Sequence, residues 1–201
     1  TQTAAGQCNS TNTAASRWNG KTGKFNYSLN FDGNDDFVTT AAYSPLATAG
    51  QTTTKVSWGA WFYPTSSVAS KTFLEKSSEF RLVTDAASKP TCGAYPFTSL
   101  SAATASAALS LSTWAHILCT SDGTNIKVYV NGTLSGSTGY TNSLTTASSI
   151  FYIAEDSAAS VRYSGQIDEV KIWNYPLTPV QIRGEFNQGS AVRYGPVTGA
   201  P

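Results

Sequence analysis

Residues Trp114–Gly132 read W-A-H-I-L-C-T-S-D-G-T-N-I-K-V-Y-V-N-G, and this stretch decides the fold class. It contains two runs that are joined at Asp122-Gly123, and the second run, Ile126–Val130, ends at Asn131-Gly132. Asp-Gly and Asn-Gly favour the positive φ angles of tight hairpin turns. The β-branched and aromatic residues of the second run suit a pleated, half-buried surface. The stretch therefore predicts antiparallel β structure.

The composition limits the classes of partner. The chain has 201 residues, of which 12% are charged, and its net charge is +1. It has no acidic or basic block, so we expect no nucleic-acid partner. It also has no apolar stretch long enough to predict a membrane-spanning helix. Low charge with many Ser, Thr, Ala and Gly residues is common in secreted β proteins. Methionine is absent, so we expect a processed chain or a piece of a longer one.

The three cysteines, Cys8, Cys92 and Cys119, cannot all pair within one chain because their number is odd. If the chain is exported, the preferred bridge is Cys92–Cys119, since both residues lie in strand-like segments. Cys8 is an alternative partner for either of them, or for another chain. The other reading is three reduced thiols, two of them buried as small apolar groups.

The pattern along the chain predicts one main domain at residues 25–189. Residues 1–24 are polar and form an N-terminal extension or edge strand, and residues 190–201 form a C-terminal tail or linker. Within the domain, Thr54–Tyr63 has apolar residues on both faces of an alternating strand. Such a strand is expected to lie at the centre of a sheet and to be covered on both sides.

One helix is predicted near the end of the domain. Thr178 has the features of an N-cap, with Pro179 at the first helical position and Gln181 completing a capping box. Val180, Ile182 and Phe186 are expected to cover a sheet edge, and Gly189 to end the helix. About a dozen short strands with turns between them, plus this helix, predict an all-β sandwich or jelly roll.

Four segments together resemble the laminin G-like domain of the concanavalin A-like lectin/glucanase superfamily. They are L-N-F-D-G-N-D-D-F-V at 29–38, V-S-W-G-A-W-F-Y-P at 56–64, the hairpin at 114–132, and Y-S-G-Q-I-D-E-V-K-I-W-N-Y-P-L-T at 163–178. The resemblance covers roughly residues 25–187. It implies a jelly-roll β-sandwich of two curved antiparallel sheets. One departure is Ile153–Asp156, where many relatives place a glycine-rich turn.

The resemblance also implies a role and a metal. Such domains often act in extracellular adhesion and bind glycans or proteins, and many hold one calcium ion. In related jelly rolls the position of Asp168 often helps to bind calcium, beside the loop that here contains Asp32 and Gly33. The expected ligands are therefore the carboxylates of Asp32 and Asp168 and a carbonyl oxygen of Gly33, because calcium prefers oxygen ligands.

Strict alternation predicts that Asp168 faces inward. It places Asp168, Val170 and Ile172 on one face of a strand, and Ile167 and Trp173 on the other. An inward carboxylate needs a cation or several hydrogen-bond donors. The alternative is that Asp168 caps a turn or bonds to backbone N–H groups, without a metal.

No catalytic residue is predicted. The sole histidine, His116, lies mid-strand without a nucleophile motif nearby. The spaced acidic motif of related glycosidases is absent. We therefore expect a secreted or cell-surface binding and adhesion module that recognises glycan or extracellular protein. The alternative is a structural subunit or decoration of an extracellular filament or surface layer, with self-association as its function. A glycoside hydrolase or lyase is the weakest of the three.

Overall fold

Two antiparallel sheets face each other across an apolar core. The computed structural model describes residues 21–42, 52–53, 55–95, 102–141, 144–145 and 149–187. Cys8, Gly189, residues 1–20 and the predicted tail at 190–201 lie outside these ranges. The domain boundaries remain predictions.

The described part of the chain forms fifteen strands and one helix. In chain order they are β1 (Lys21–Thr22), β2 (Tyr27–Asp32), β3 (Val38–Thr39), β4 (Thr52–Thr53), β5 (Lys55–Pro64), β6 (Thr72–Lys76), β7 (Phe80–Thr84), β8 (Pro90–Ala94), β9 (Ala102–Thr104), β10 (Ala115–Asp122), β11 (Asn125–Val130), β12 (Thr133–Gly139), β13 (Leu144–Thr145), β14 (Phe151–Ile153), β15 (Ser164–Trp173) and α1 (Pro179–Phe186). One sheet has seven strands in the order β1-β2-β15-β5-β10-β11-β12, and the other has six in the order β3-β14-β6-β7-β8-β9. Strands β4 and β13 form a separate pair. The predicted all-β jelly roll is confirmed.

The stretch 114–132 folds as expected. β10 pairs with β11, and β11 pairs with β12. Asn131 and Gly132 have φ values of 51° and 76°, and they form a two-residue turn because Val130 pairs with Thr133. This matches the turn type that Asn-Gly favours.

The core is built where side chains of the two sheets meet. Trp58 of β5 packs on Phe80 of β7 with ring centroids 4.8 Å apart, and Phe62 of β5 packs on Phe73 of β6 at 4.6 Å. A disulfide between Cys92 of β8 and Cys119 of β10 joins the sheets covalently, with 5.6 Å between their Cα atoms. By the chain-entropy argument, closing a loop of this length stabilises the fold by about 3.5 kcal/mol.

Strand β5 lies at the centre of the seven-stranded sheet and is covered on both sides, as predicted. Its outer face carries Trp61, which is 2% exposed. Phe186 of α1 stacks on Trp61 at 5.5 Å, and Phe25 meets the same ring edge-on at 5.9 Å. Lys24 Nζ lies 4.5 Å from its centroid. The aromatic cover makes this outer face a second, smaller core.

Helix α1 has the predicted start. Thr178 Oγ1 accepts a hydrogen bond from the Gln181 backbone N–H at 3.3 Å, and Gln181 Oε1 accepts one from the Thr178 N–H at 2.8 Å. The helix does not cover a sheet edge, however. It lies on the outer face of the seven-stranded sheet, where Ile182 is buried, while Val180 is 55% exposed. No helix in the described part of the chain has the length and apolar character needed to span a membrane.

A β-bulge in β15 overturns the prediction that Asp168 faces inward. The pairing with β5 shifts register between Asp168 and Lys171, and Glu169 has a φ of 52°. A bulge adds one residue to a strand and so exchanges the faces beyond it. Asp168 pairs with Trp61 and lies on the outer face, while Val170 and Ile172 on the other side of the bulge pack against the core.

The two sheets approach each other closely where β9 faces β12. Thr138 of β12 donates a hydrogen bond to the Ala102 carbonyl oxygen at 2.8 Å. Ser106 donates its backbone N–H to the Ser135 carbonyl oxygen at 3.1 Å. A Cβ on Gly136 would overlap the carbonyl oxygen of Thr104. A side chain at this position would therefore force the sheets apart.

The first prediction concerns this contact. Gly136→Ala is expected to lower the free energy of unfolding by about 1–3 kcal/mol, because overpacking displaces backbone. Gly139→Ala on the same strand is the matched control, since no atom lies within 4 Å of its Cβ position. Urea unfolding of the two variants measures the difference. Equal stabilities would contradict the proposed close approach.

The second prediction concerns His116, which lies on the outer face 5.1 Å from the Trp61 ring and 6.2 Å from Phe186. Burial lowers the pKa of His116 from 6.5 to about 4, Lys171 also lowers it, and Glu185 acts against them. The unfolded chain therefore binds a proton at a higher pH than the folded one. The contribution of neutral His116 to the free energy of unfolding is therefore fully present above pH 6.5, and it is lost as the pH falls toward 4.

The loss between pH 7 and pH 5 is expected to be about 2 kcal/mol. Urea unfolding at these two pH values measures it. His116→Phe retains an aromatic ring and removes the titrating group, so this variant is expected to lose much less stability over the same interval. The same pH dependence in both proteins would show that His116 is not the responsible group.

Candidate functional site

Three acidic residues, Asp32, Asp35 and Asp36, lie at the end of β2 and in the loop that follows it. One carboxylate oxygen from each of Asp32, Asp35 and Asp36 lies within 4.8 Å of the others. Asp32 Oδ1 accepts hydrogen bonds from the Asn34 and Asp35 N–H groups at 2.7 and 3.3 Å. Asp36 Oδ2 accepts one from the Asp32 N–H at 3.1 Å. The loop is thus an aspartate-stabilised turn with carboxylates gathered at the surface.

The charges of this loop affect one another. Burial alone would raise the pKa of Asp32, but the backbone N–H groups of Asn34 and Asp35 lower it below its usual value. The pKa of Asp36 is raised, first by burial and also by the negative charges of Asp32 and Asp35. A hard cation would relieve this repulsion, and carboxylate oxygens at such spacing fit calcium.

Asp168 does not share this site. Asp32 pairs with Ser164, and Asp168 lies four residues further along β15. At 3.3 Å per residue this is about 13 Å, whereas ligands of one calcium ion lie within about 2.6 Å of the metal. The structure therefore does not bring Asp168 together with Asp32 and Gly33. Gly33 adopts a φ of 82° beside Ser164.

Asp168 instead stabilises a turn. It is 7% exposed, and its Oδ2 accepts a hydrogen bond from the Phe25 N–H at 2.9 Å. Gly23 and Asn26 close the same turn by a backbone hydrogen bond of 3.0 Å. This turn places Lys24 and Phe25 against Trp61. The arrangement matches the alternative in which Asp168 bonds to backbone N–H groups.

The loop after β14, where the resemblance predicts a glycine-rich turn, is held by side-chain hydrogen bonds. Ala154 stands in the left-handed region with a φ of 69°. Arg162 joins this loop to the Asp32 loop: it donates to Glu155 Oε1 and to the Asn34 carbonyl oxygen, both at 2.7 Å. Asp156 Oδ1 accepts the N–H groups of Ser160 and Val161 at 2.7 and 3.1 Å. The carboxylates of this loop already have partners.

A row of residues crosses the outer face of the six-stranded sheet. Strand pairing places these residues side by side in the order Thr39, Tyr152, Glu75, Arg81, Gly93, Ala102. Their chain neighbours Leu74, Phe80 and Phe151 point into the core, so by alternation the row points outward. Thr91 and Thr104 lie in the next row, with their hydroxyl oxygens 3.1 Å apart.

The row combines charged, aromatic and small side chains. Glu75 is 2% exposed, and its Oε1 has no hydrogen-bond partner. The pKa of Tyr95 is raised by burial, and the charges of Glu75 and Asp156 add to this effect while Arg81 opposes it. Tyr95 and Arg81 therefore each lie within electrostatic range of both carboxylates. Gly93, which lies beside Arg81 in the row, has no side chain and is buried.

This face was not among the sequence predictions. Glu75 and Arg81 are polar residues at outward positions of strands whose inward positions are apolar. That signal is present in the sequence, but it becomes a site only when the strand pairing is known.

A second concave region lies between the sheets. It has a volume of about 400 Å³. Its lining is mostly apolar and consists of Leu29, Phe31, Ile153, Ile167 and Val170, together with Tyr27, Ser28, Asp168 and Glu169. The apolar part of this lining offers few partners for hydroxyl groups. We therefore consider the outer face of the six-stranded sheet as the site for a polar ligand. α1 lies on the other sheet, and no helix of the described residues packs over this face.

Comparison with solved structures shows the fold. A candidate carbohydrate-binding protein from Bacteroides ovatus matches with a TM-score of 0.59 and 15% identity, over 79% of this chain and 48% of that one. Domain 4 of AbnA, an extracellular arabinanase from Geobacillus stearothermophilus in complex with arabinotriose, matches with a TM-score of 0.59 and 18% identity, over 84% of this chain and 80% of that one. The binding domain of botulinum neurotoxin serotype D matches with a TM-score of 0.62 and 14% identity, over 81% of this chain and 42% of that one.

A comparison with curated proteins finds no match. The model of the laminin G domain family, described as the concanavalin A-like lectin/glucanases superfamily, matches residues 32–183. This match covers more than half of the chain and includes the central strand β5, the hairpin and β15. The chain therefore belongs to the laminin G domain family of the concanavalin A-like lectin/glucanases superfamily.

Proposed function

We propose that this domain is a non-catalytic, extracellular adhesion module that binds glycans through the outer face of the six-stranded sheet. The observation that carries the proposal is the row in which Tyr152, Glu75 and Arg81 lie side by side. Sugar-binding sites combine aromatic surfaces with a few convergent polar groups, and this row supplies both. The names of two similar structures, one a candidate carbohydrate-binding protein and one bound to arabinotriose, agree with this class of ligand.

The arrangement favours binding over hydrolysis. Glycosidases place two carboxyl groups on either side of the scissile bond, about 5–9.5 Å apart. The described row contains one carboxylate, that of Glu75. The nearby carboxylate of Asp156 already accepts hydrogen bonds from Ser160 and Val161. A second carboxylate free for proton transfer is thus absent from the described residues of this face.

The third prediction tests the sheet face. On an array of neutral and acidic oligosaccharides, the protein is expected to bind a subset. Arg81→Gln and Tyr152→Ala should each weaken this binding about tenfold, because each removes a charged hydrogen bond or an aromatic surface. The matched controls are Arg183→Gln and Tyr175→Ala, which change exposed residues elsewhere. They should bind as the unchanged protein does.

A blank array would contradict glycan binding. If sedimentation also showed association that rises with concentration, the result would favour the alternative role as a subunit of an extracellular filament. Equal losses in the control variants would show that the sheet face is not the binding site.

We also propose that calcium stabilises the loop after β2, with Asp32, Asp35 and Asp36 as ligands in place of the predicted set that included Asp168. Their carboxylate oxygens lie close together, and a bound cation would offset the mutual repulsion of the three negative charges. Calcium would hold this loop in one conformation next to Arg162 and the loop after β14.

The fourth prediction is a calcium-dependent melting temperature. At ten times its Kd, calcium should add about 1.4 kcal/mol of stability, or roughly 3–5 °C for a domain of this size. Asp35→Asn should abolish the shift, since it removes one carboxylate. Asp85→Asn is the control, because Asp85 stabilises a separate turn. No difference between calcium and chelator in the unchanged protein would refute the site.

A further inference from the structure

We propose that a cavity beside Trp114 binds the acetamido group of an N-acetylated amino sugar, whose ring packs on Trp114. The cavity lies between the segment 108–115, which leads into β10, and the turn after β11. It is built on the seven-stranded sheet. It is therefore a second site, which shares with the proposed function only the class of ligand and does not depend on the row of the six-stranded sheet.

The ring of Trp114 is accessible to a ligand. Trp114 is only partly buried, and so is Tyr63. The centroids of the two rings lie 5.5 Å apart, with 52° between their planes. Ala115 points into the core, so by alternation Trp114 lies on the outer face of the sheet. The two tilted rings form an aromatic surface on which the apolar face of a sugar ring can pack.

The cavity next to this surface has the size of a substituent and not of a sugar ring. Its volume is about 120 Å³. At about 30 Å³ for each water-sized group, it holds about four such groups. An acetamido substituent consists of a nitrogen, a carbonyl carbon, an oxygen and a methyl group, so it matches this space. The sugar ring itself stays outside, on the aromatic surface.

The lining of the cavity is mixed, and so is the chemistry of an acetamido group. Leu109 and Val130 are partly buried and pack against the core. Ser110, Thr113 and Asn131 are exposed and bring hydroxyl and amide groups to the same cavity. None of the described residues that line it is charged. The apolar part suits the methyl group of the ligand, and the polar part suits its amide.

The side chain of Asn131 has a fixed orientation. Its Oδ1 accepts a hydrogen bond from the His116 N–H at 2.9 Å, and the Asn131 N–H donates to the His116 carbonyl oxygen at 2.8 Å. With Oδ1 engaged, the Nδ2 amino group is the part that donates to a ligand carbonyl. On the other wall, the Ser112 N–H donates to the Pro64 carbonyl oxygen at 2.8 Å. Walls that are already held in place reduce the entropy lost on binding.

Other sugars fit the cavity less well. A hydroxyl in place of the acetamido group leaves most of the space unfilled and makes no apolar contact. A free amino sugar carries an ammonium group, and the lining offers no carboxylate to pair with it. Burial of an unpaired charge is costly. The cavity therefore distinguishes acetylated sugars from both of these relatives.

The test uses the folded protein and three matched sets of oligosaccharides of equal length. The first set contains N-acetylglucosamine or N-acetylgalactosamine, the second the corresponding plain hexoses, and the third the deacetylated amino sugars. Titration calorimetry gives each Kd. The acetylated set should bind about tenfold or more tightly than the other two, because it adds one hydrogen bond and one buried methyl group.

Ala108→Leu is the decisive variant. Ala108 lines the cavity and is exposed, so a larger side chain fills the cavity without disturbing the core. Binding of the acetylated set should fall about tenfold. Ala107→Leu is the matched control, since Ala107 is the exposed neighbour that does not line the cavity; its Kd values should not change. Both variants should melt at the temperature of the unchanged protein.

Trp114→Ala tests the aromatic surface. It should weaken the binding of every probe, because the surface on which the sugar ring packs is removed. Arg81→Gln, which alters the six-stranded sheet, should leave the binding of the acetylated set unchanged.

The two proposed sites fail in different ways. Equal Kd values for the three sets, or unchanged binding of acetylated sugars in Ala108→Leu, would overturn this inference and leave the site on the six-stranded sheet untouched. Loss of acetylated-sugar binding in Arg81→Gln but not in Trp114→Ala would also overturn it. Binding that Ala108→Leu weakens and Arg81→Gln does not would support the cavity even if the six-stranded sheet binds no glycan.

Discussion

The central strand β5 has to bury both of its faces, and this requirement shapes the rest of the molecule. Its inner residues Trp58 and Phe62 pack against the six-stranded sheet, while Trp61 needs a cover on the opposite side. Helix α1 and the turn at Phe25 supply that cover. Both of these elements lie on the seven-stranded sheet, so no described helix packs on the outer face of the six-stranded sheet, where we propose that glycans bind. The position of the candidate site is thus a consequence of packing.

A single irregularity in β15 determines what Asp168 does. The bulge places Glu169 in the left-handed region and moves Asp168 to the face of Trp61. Strict alternation cannot predict this exchange, because Glu169 is not a glycine and the residues around it continue the pattern of a regular strand. On the outer face, Asp168 holds the turn that carries Phe25. Asp168, which the resemblance suggests as a metal ligand, therefore stabilises the turn that covers Trp61 of β5.

Features that depend on local chemistry were predictable from the sequence. The Asn131-Gly132 turn and the capping box of Thr178 and Gln181 follow from the conformations that these residues favour over a few positions. The ligand row was not predictable in this way. It joins Tyr152, Glu75 and Arg81 from strands that are distant in the chain or separated by a turn, and their register is set by packing across the whole sheet. The family resemblance predicted the architecture, but the structure does not bring Asp168 to the loop of Asp32.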